Sequence, residues 1–307
     1  MRRQFCSLVP VVIVFFLFSY NVVSQRRSTA RPETASSLTI TTEPNAVVWI
    51  DEIRRGVSDA SGKLTVVRVS PGRHTLRVRA TGFKEASSPL LPGRSAITVK
   101  LLKTTDEAEL TFQQAEIARE QAKDDDSRKK AAELYRKALK LRPAFPAARV
   151  GLARVLLDLN EYDQALAEIA AARRSRPVYP EASAVEGRIQ REAAFPEEAI
   201  RSFRRSITEA HGLEPEAHVG LARVYEDKGQ YPEAIVEYRK AIDQLSDSEP
   251  VIYQLLGATY ERVQNYKDAL VAYEKYLELA PNGSLAPAVR SIIEQVRREA
   301  AGQEIIP

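Results

Sequence analysis

Three arginines, Arg154, Arg188 and Arg223, recur at gaps of 34 and 35 residues in this 307-residue chain. A guanidinium presents a planar fork of donors that meets a carboxylate in two parallel hydrogen bonds. A row of such groups predicts recognition of acid, either a partner's chain end or an acidic side chain. Each arginine is also followed four residues later by an acid of its own, Asp158, Glu192 and Asp227. That is the spacing of a helical ion pair, which stabilises an exposed helix by only about 0.3 kcal/mol. Two readings therefore stand: a partner-binding ladder, or a stripe that neutralises itself.

No other constellation predicts reaction chemistry. His74, His211 and His218 are the only histidines, and the lone Cys6 precedes an apolar run. His211 and His218 flank Gly212 and Pro215 with no cysteine or paired carboxylate to complete a metal site. The Asp124-Asp-Asp126 run lacks the spaced oxygen ligands and turn glycine of a calcium loop, and reads as a solvated polar insert. Phosphate-loop, nucleophile-elbow and zinc signatures are missing from the sequence. The expectation is a protein without catalytic residues, metal or cofactor. A net charge of +4 with acids and bases interleaved argues against nucleic acid as a partner.

The elements that position the arginines come from a second period. Ala131, Ala165, Ala199, Ala234 and Ala269 are spaced by 34, 34, 35 and 35 residues. A constant period of this length marks stacked helical hairpins, none of which can bury its apolar face alone. The alanines let paired helices approach, and the tyrosines at 135, 162, 231, 238, 266 and 273 are expected to fill the gaps beside them. The third unit is weakest: Glu186 and Gln190 take apolar positions, and Phe195 lies one residue off register. Val289, Ile292, Ile293 and Val296 make one stripe of a capping helix.

Upstream the period is two. Short runs at 38–42, 46–50, 64–69, 74–79 and 96–101, separated by turn signals such as Ser61-Gly62 and Thr81-Gly82, predict a small antiparallel β-sandwich. Trp49, the only tryptophan, is expected in its core. The segment 25–37 reads as a flexible tether rich in Ser, Thr, Arg and Pro. Before it, Arg2 and Arg3, the apolar run Leu8 to Phe18 and Val22-Val-Ser24 form a secretory signal pattern. The competing reading is an uncleaved anchor, against which Arg26, Arg27 and Arg31 lie on the translocated side. Either way the remainder is expected to be exported to the periplasm or extracytoplasmic envelope, with membrane contact only through an uncleaved N-terminus.

The helical part resembles the tetratricopeptide repeat family. The residues that carry the likeness include Leu152, Tyr162, Ala165 and Pro177; Gly220-Leu221, Tyr225, Gly229, Tyr231, Ala234 and Tyr238; and Leu256-Gly257, Tyr260, Tyr266, Ala269, Tyr273 and Pro281. The resemblance implies a superhelical solenoid in which Arg154, Arg188 and Arg223 look into the concave groove. It does not extend to the carboxylate clamp of chaperone-binding members, whose positions hold Ala147, Val150, Glu181 and Glu216. Pro44-Asn-Ala46, Val48, Ile50-Asp51, Gly56, Pro71-Gly72-Arg-His74 and Gly82-Phe83 are similar to a PEGA domain, while Ser58 to Leu64 is similar to carboxypeptidase regulatory-like sandwiches. Both imply a non-catalytic β-sandwich. The expected organisation is signal or anchor 1–24, tether 25–37, sandwich 38–102, five hairpins 103–285 and cap with tail 286–307. The expected function is an exported scaffold binding proteins or peptides in the cell envelope. The alternative is a self-assembling structural protein whose sandwich contacts cell-wall or outer-membrane material.

Overall fold

The computed structural model describes residues 36–303 except 52, 70–72 and 246–248. The signal or anchor, nearly all of the tether and the extreme C-terminus lie outside these residues. Ala35–Pro307 forms one compact unit.

Its first part is built of nine short strands: β1 (Ser36–Thr41), β2 (Val47–Ile50), β3 (Ile53–Val57), β4 (Lys63–Val69), β5 (His74–Arg79), β6 (Phe83–Lys84), β7 (Ala86–Leu90), β8 (Ala96–Thr98) and β9 (Leu102–Lys103). One sheet has the order β4-β1-β8, the other β3-β2-β5-β7, and β6 pairs with β9. Leu38 and Ile40 from the first sheet meet Val48, Ile50, Leu76 and Val78 from the second in a common core. The pairings are antiparallel except β1 with β8, which run parallel. Strands β3 and β7, both edges of the second sheet, escape the sequence pattern because neither carries an alternating apolar run. An edge tolerates the Pro89 of β7, whose missing N–H would break a central ladder. Gly62 has φ +76° and a Cβ there would lie 2.0 Å from the Thr42 carbonyl oxygen, so the β-turn before β4 admits only glycine.

Trp49 does not join that core. In β2 the burial alternates so that Val48 and Ile50 point inward. The period of two then sends Trp49 to the outer face, beside Arg77 and Arg79 of β5.

Eleven helices follow among the described residues. They are α1 (Glu107–Gln121), α2 (Asp125–Leu141), α3 (Pro146–Asp158), α4 (Tyr162–Ser175), α5 (Pro180–Glu192), α6 (Pro196–Glu209), α7 (Pro215–Asp227), α8 (Tyr231–Leu245), α9 (Val251–Arg262), α10 (Tyr266–Leu279) and α11 (Ala286–Gln303). The first ten pair as five antiparallel hairpins, and α11 packs on α10 as the cap. The acidic run is not a free loop. Asp124 caps α2 by accepting from Ser127 N–H, and Asp125 and Asp126 lie in the first turn, where the helix dipole favours negative charge.

All five periodic alanines are fully buried. Of the six tyrosines, Tyr135, Tyr238 and Tyr273 are core, whereas Tyr162, Tyr231 and Tyr266 open second helices and are half-buried. The core tyrosines lie against small neighbours: a Cβ on Gly151 would sit 2.4 Å from the Tyr135 ring, and one on Gly257 would sit 2.7 Å from Tyr273. Their hydroxyls donate to Glu116, Glu226 and Glu261 respectively. Burial together with those carboxylates raises all three phenols above their ordinary range.

The third hairpin replaces apolar contacts by matched polar ones. Ser202 Oγ donates to Gln190 Oε1 at 2.7 Å, and Arg205 donates to Glu186 at 2.6 Å. Ser183, fully buried, donates to Glu209, which also takes Arg173 at 2.8 Å. The residues that look wrong for an apolar pattern are therefore satisfied across the α5–α6 interface.

Candidate binding groove

The first helices of the hairpins carry the predicted ladder: Arg154 on α3, Arg188 on α5 and Arg223 on α7. Helix α3 packs on α5 and α5 on α7, which brings successive rungs together. The rungs do not pair with the acids four residues on. Arg154 bonds Glu181 at 3.2 Å and Glu216 at 3.3 Å, and Arg188 bonds Glu216 at 3.5 Å. Asp227 and Glu192 are instead taken by Arg191, at 2.7 and 2.8 Å. The reason is geometric. An i,i+4 pair stays on one exposed helix face, whereas the groove positions of adjacent repeats face each other across a helix interface. Glu181 and Glu216 stand seven residues before Arg188 and Arg223, so each repeat brings its own acid to the preceding repeat's arginine.

The sandwich covers the start of this ladder. The outer face of its β3-β2-β5-β7 sheet lies over α1, α3 and α5, and the two line a cavity of about 250 Å³. Trp49 is its aromatic floor, with the Arg77 guanidinium 4.1 Å and that of Arg79 5.4 Å from the ring centre. Arg79 reaches the helices directly: it lies 4.8 Å from the Phe112 ring centre and 3.6 Å from Glu116. Gln113, 3% exposed, holds the β6 turn by accepting from Gly82 N–H and donating to the Phe83 carbonyl, each at 2.8 Å. None of these residues stands out as functional in the sequence. The outward period-two positions Trp49, Arg77 and Arg79 were the available signal.

Burial opposes ionisation of Glu181, yet Arg154, Arg77 and Arg79 outweigh it and hold the carboxyl below its ordinary value of 4.5. A carboxyl depressed by folding contributes stability that is complete above its unfolded value and is lost as pH falls through the folded one. Glu181→Gln should therefore lower Tm near neutrality and converge on the parent in acid, once pH has fallen through the depressed value of the folded chain. Thermal melts from neutral to acid pH test this, and a difference that stays constant throughout would refute it.

Beyond the covered rungs a larger cavity of about 620 Å³ lies between the start of β3, at Ile53 and Arg54, and helices α5, α7 and α9. Ile53 from the sandwich reaches this end and is buried in one apolar cluster with Ala222, Leu245 and Ile252. Arg188 and Arg223 both line this cavity. Of the three predicted rungs, the structure thus covers Arg154, pairs Arg188 at the cavity edge, and leaves Arg223 with no hydrogen bond or ion pair among the described residues. His218 and His211 do not converge: His218 pairs with Glu237 at 2.6 Å, while His211 is an exposed turn residue at φ 52°.

Models of the tetratricopeptide repeat match residues 122–189 and 213–282. No curated protein matches the sequence. Among solved structures, PilF of Pseudomonas aeruginosa is similar at 17% identity and TM-score 0.52, covering 64% of this chain and 87% of that one. A thermophilic TPR protein of Thermus thermophilus is 22% identical with TM-score 0.49, covering 62% of this chain and 96% of that one.

Proposed function

We propose that this chain, whose helical part is built of tetratricopeptide repeats, is an exported, non-enzymatic scaffold that holds a segment of a partner protein in the uncovered half of its groove. The observation that carries this reading is the cavity of about 620 Å³ between strand β3 of the sandwich and the first helices of repeats three to five. Its size and mixed lining suit side chains of an extended segment, and repeat solenoids use such continuous faces to bind. The N-terminal sandwich, PEGA-like or carboxypeptidase regulatory-like in its residues, then serves as a wall of the binding face. Export rests on the signal pattern in residues 1–24, and the cell envelope is the compartment this implies.

A photo-crosslinking residue in place of Val219, which lines the cavity, should capture a discrete partner in the envelope fraction. The same group in place of Arg201, whose side chain is 68% exposed on α6, should not. Equal capture at both positions would refute a groove-bound partner. Mass spectrometry of the purified chain should find a mature N-terminus at Gln25, and an intact Met1 terminus would replace the cleaved signal by an anchor.

A further inference from the structure

The groove follows a rule that breaks once. Positions 147, 181, 216 and 251 are equivalent in four successive repeats and hold Ala147, Glu181, Glu216 and Val251. Seven residues after each come Arg154, Arg188, Arg223 and Ala258. Each arginine is paired with the acid of the next repeat: Arg154 with Glu181, and Arg188 with Glu216. By the same rule Arg223 faces position 251, where the acid is replaced by valine. Arg223 accordingly has no ion pair among the described residues.

This rung, without an ion pair among the described residues, lies at the larger cavity, which Val251 also lines. A guanidinium does not shed its proton at any physiological pH, so it keeps its charge and all its donors. The same cavity carries an aliphatic patch, formed by Val219, Leu245, Val251 and Ile252 with Ile53 contributed by the sandwich, set among charged residues that include Arg191, Glu192 and Glu214. The acid nearest in register, Glu216, is already held by Arg154 and Arg188. Glu249 is exposed at the same cavity and forms no ion pair with Arg223. It opposes a second negative charge on whatever binds.

We infer that this cavity binds an extended partner segment in which one carboxylate side chain is flanked by aliphatic residues, the carboxylate completing the rung that Val251 leaves empty. The inference rests on the scaffold reading above and adds the chemistry of the bound segment. The sandwich is part of the receptor, since Ile53 closes the aliphatic patch. Charge complementarity selects the acid, and the aliphatic patch selects its neighbours.

The test uses the full chain and two pools of fluorescent hexapeptides with blocked termini. One pool fixes a glutamate between Leu, Ile or Val residues; the other carries glutamine in its place. Anisotropy should show the acid pool binding at least about ten-fold more tightly, the usual scale of a charge-assisted hydrogen bond. Arg223→Gln should erase that preference. Val251→Glu should erase it too, because it supplies the missing rung from within. This variant should melt no lower than the parent, which separates lost binding from lost folding. Equal binding of both pools overturns the rung proposal and leaves the peptide-scaffold reading standing. Binding of neither pool overturns both. Self-association of the parent chain that Val251→Glu abolishes assigns the site to a second copy and overturns the partner-segment proposal.

Discussion

Replacing Phe203 with alanine will destabilise the chain by about 3–5 kcal/mol and split its unfolding into two transitions. Phe203 is fully buried and is the aromatic of the weakest hairpin. Its ring fills the space left by two glycines, since a Cβ would come within 2.8 Å of it at Gly187 and 2.3 Å at Gly220. It joins Ala184, Ala199, Ala217, Leu221 and Val224 in a small cluster separate from the two larger ones. The two glycines facing the ring offer no side chain to fill the void from their sides, so a large part of the cavity term applies. In a solenoid each hairpin is stabilised by its neighbours, so loss of the middle contact uncouples the flanking repeats. Urea titration followed by helicity, with hydrogen exchange resolved along the chain, measures both effects. A single transition displaced by less than about 1 kcal/mol would mean that the third repeat is not the weak coupling.

The second large effect is expected at Arg154. Arg154→Ala removes the donor shared by Glu181 and Glu216 and should cost about 2–3 kcal/mol, less than for a fully buried pair because the side chain is 21% exposed. The consequence is spatially selective. Glu216 keeps Arg188, but Glu181 loses the nearest of the cations around it and is left beneath the Arg77 and Arg79 face of the sandwich. Strands β2 and β5 should then exchange their amide protons faster, while α9 and α10 should be unaffected. Arg154→Lys should rescue the effect only in part, because a compact ammonium keeps the charge but lacks the planar fork whose separate nitrogens meet Glu181 and Glu216. Unchanged exchange in β2 and β5 would show that the ladder does not help hold the sandwich to the groove.

Much of this was legible from residue types and their spacing. The alanine period specified five hairpins because a small residue at each helix crossing is a local requirement that recurs with the unit. The stripe of Val289, Ile292, Ile293 and Val296 announced the cap, and three of its four residues are fully or nearly fully buried. The central strands were visible because their inward positions are Val, Ile and Leu at a period of two. Edge strand β7, Ala-Ser-Ser-Pro-Leu, carried no such signal, because an edge is not required to be apolar on either face or to donate every N–H.

The ladder divides differently. Its three arginines and the period that aligns them are properties of the sequence alone, as is the break where Val251 follows Glu181 and Glu216. Which acid each arginine takes is not, because i,i+4 spacing is a local relation while the bonds made run between repeats. The position of Trp49 was missed for a related reason: an aromatic in a strand has two faces available, and only the partner strands decide which is inner. The occupancy of the groove was further still from the sequence. A sandwich and a solenoid each satisfy their own periodicity, and nothing local records that Ile53, Arg79 and Gln113 lie against the other part. That contact depends on side chains far apart in the chain becoming neighbours. Repetition determined the scaffold, and tertiary packing alone decided which rungs are covered, which are paired and which one has no ion pair among the described residues.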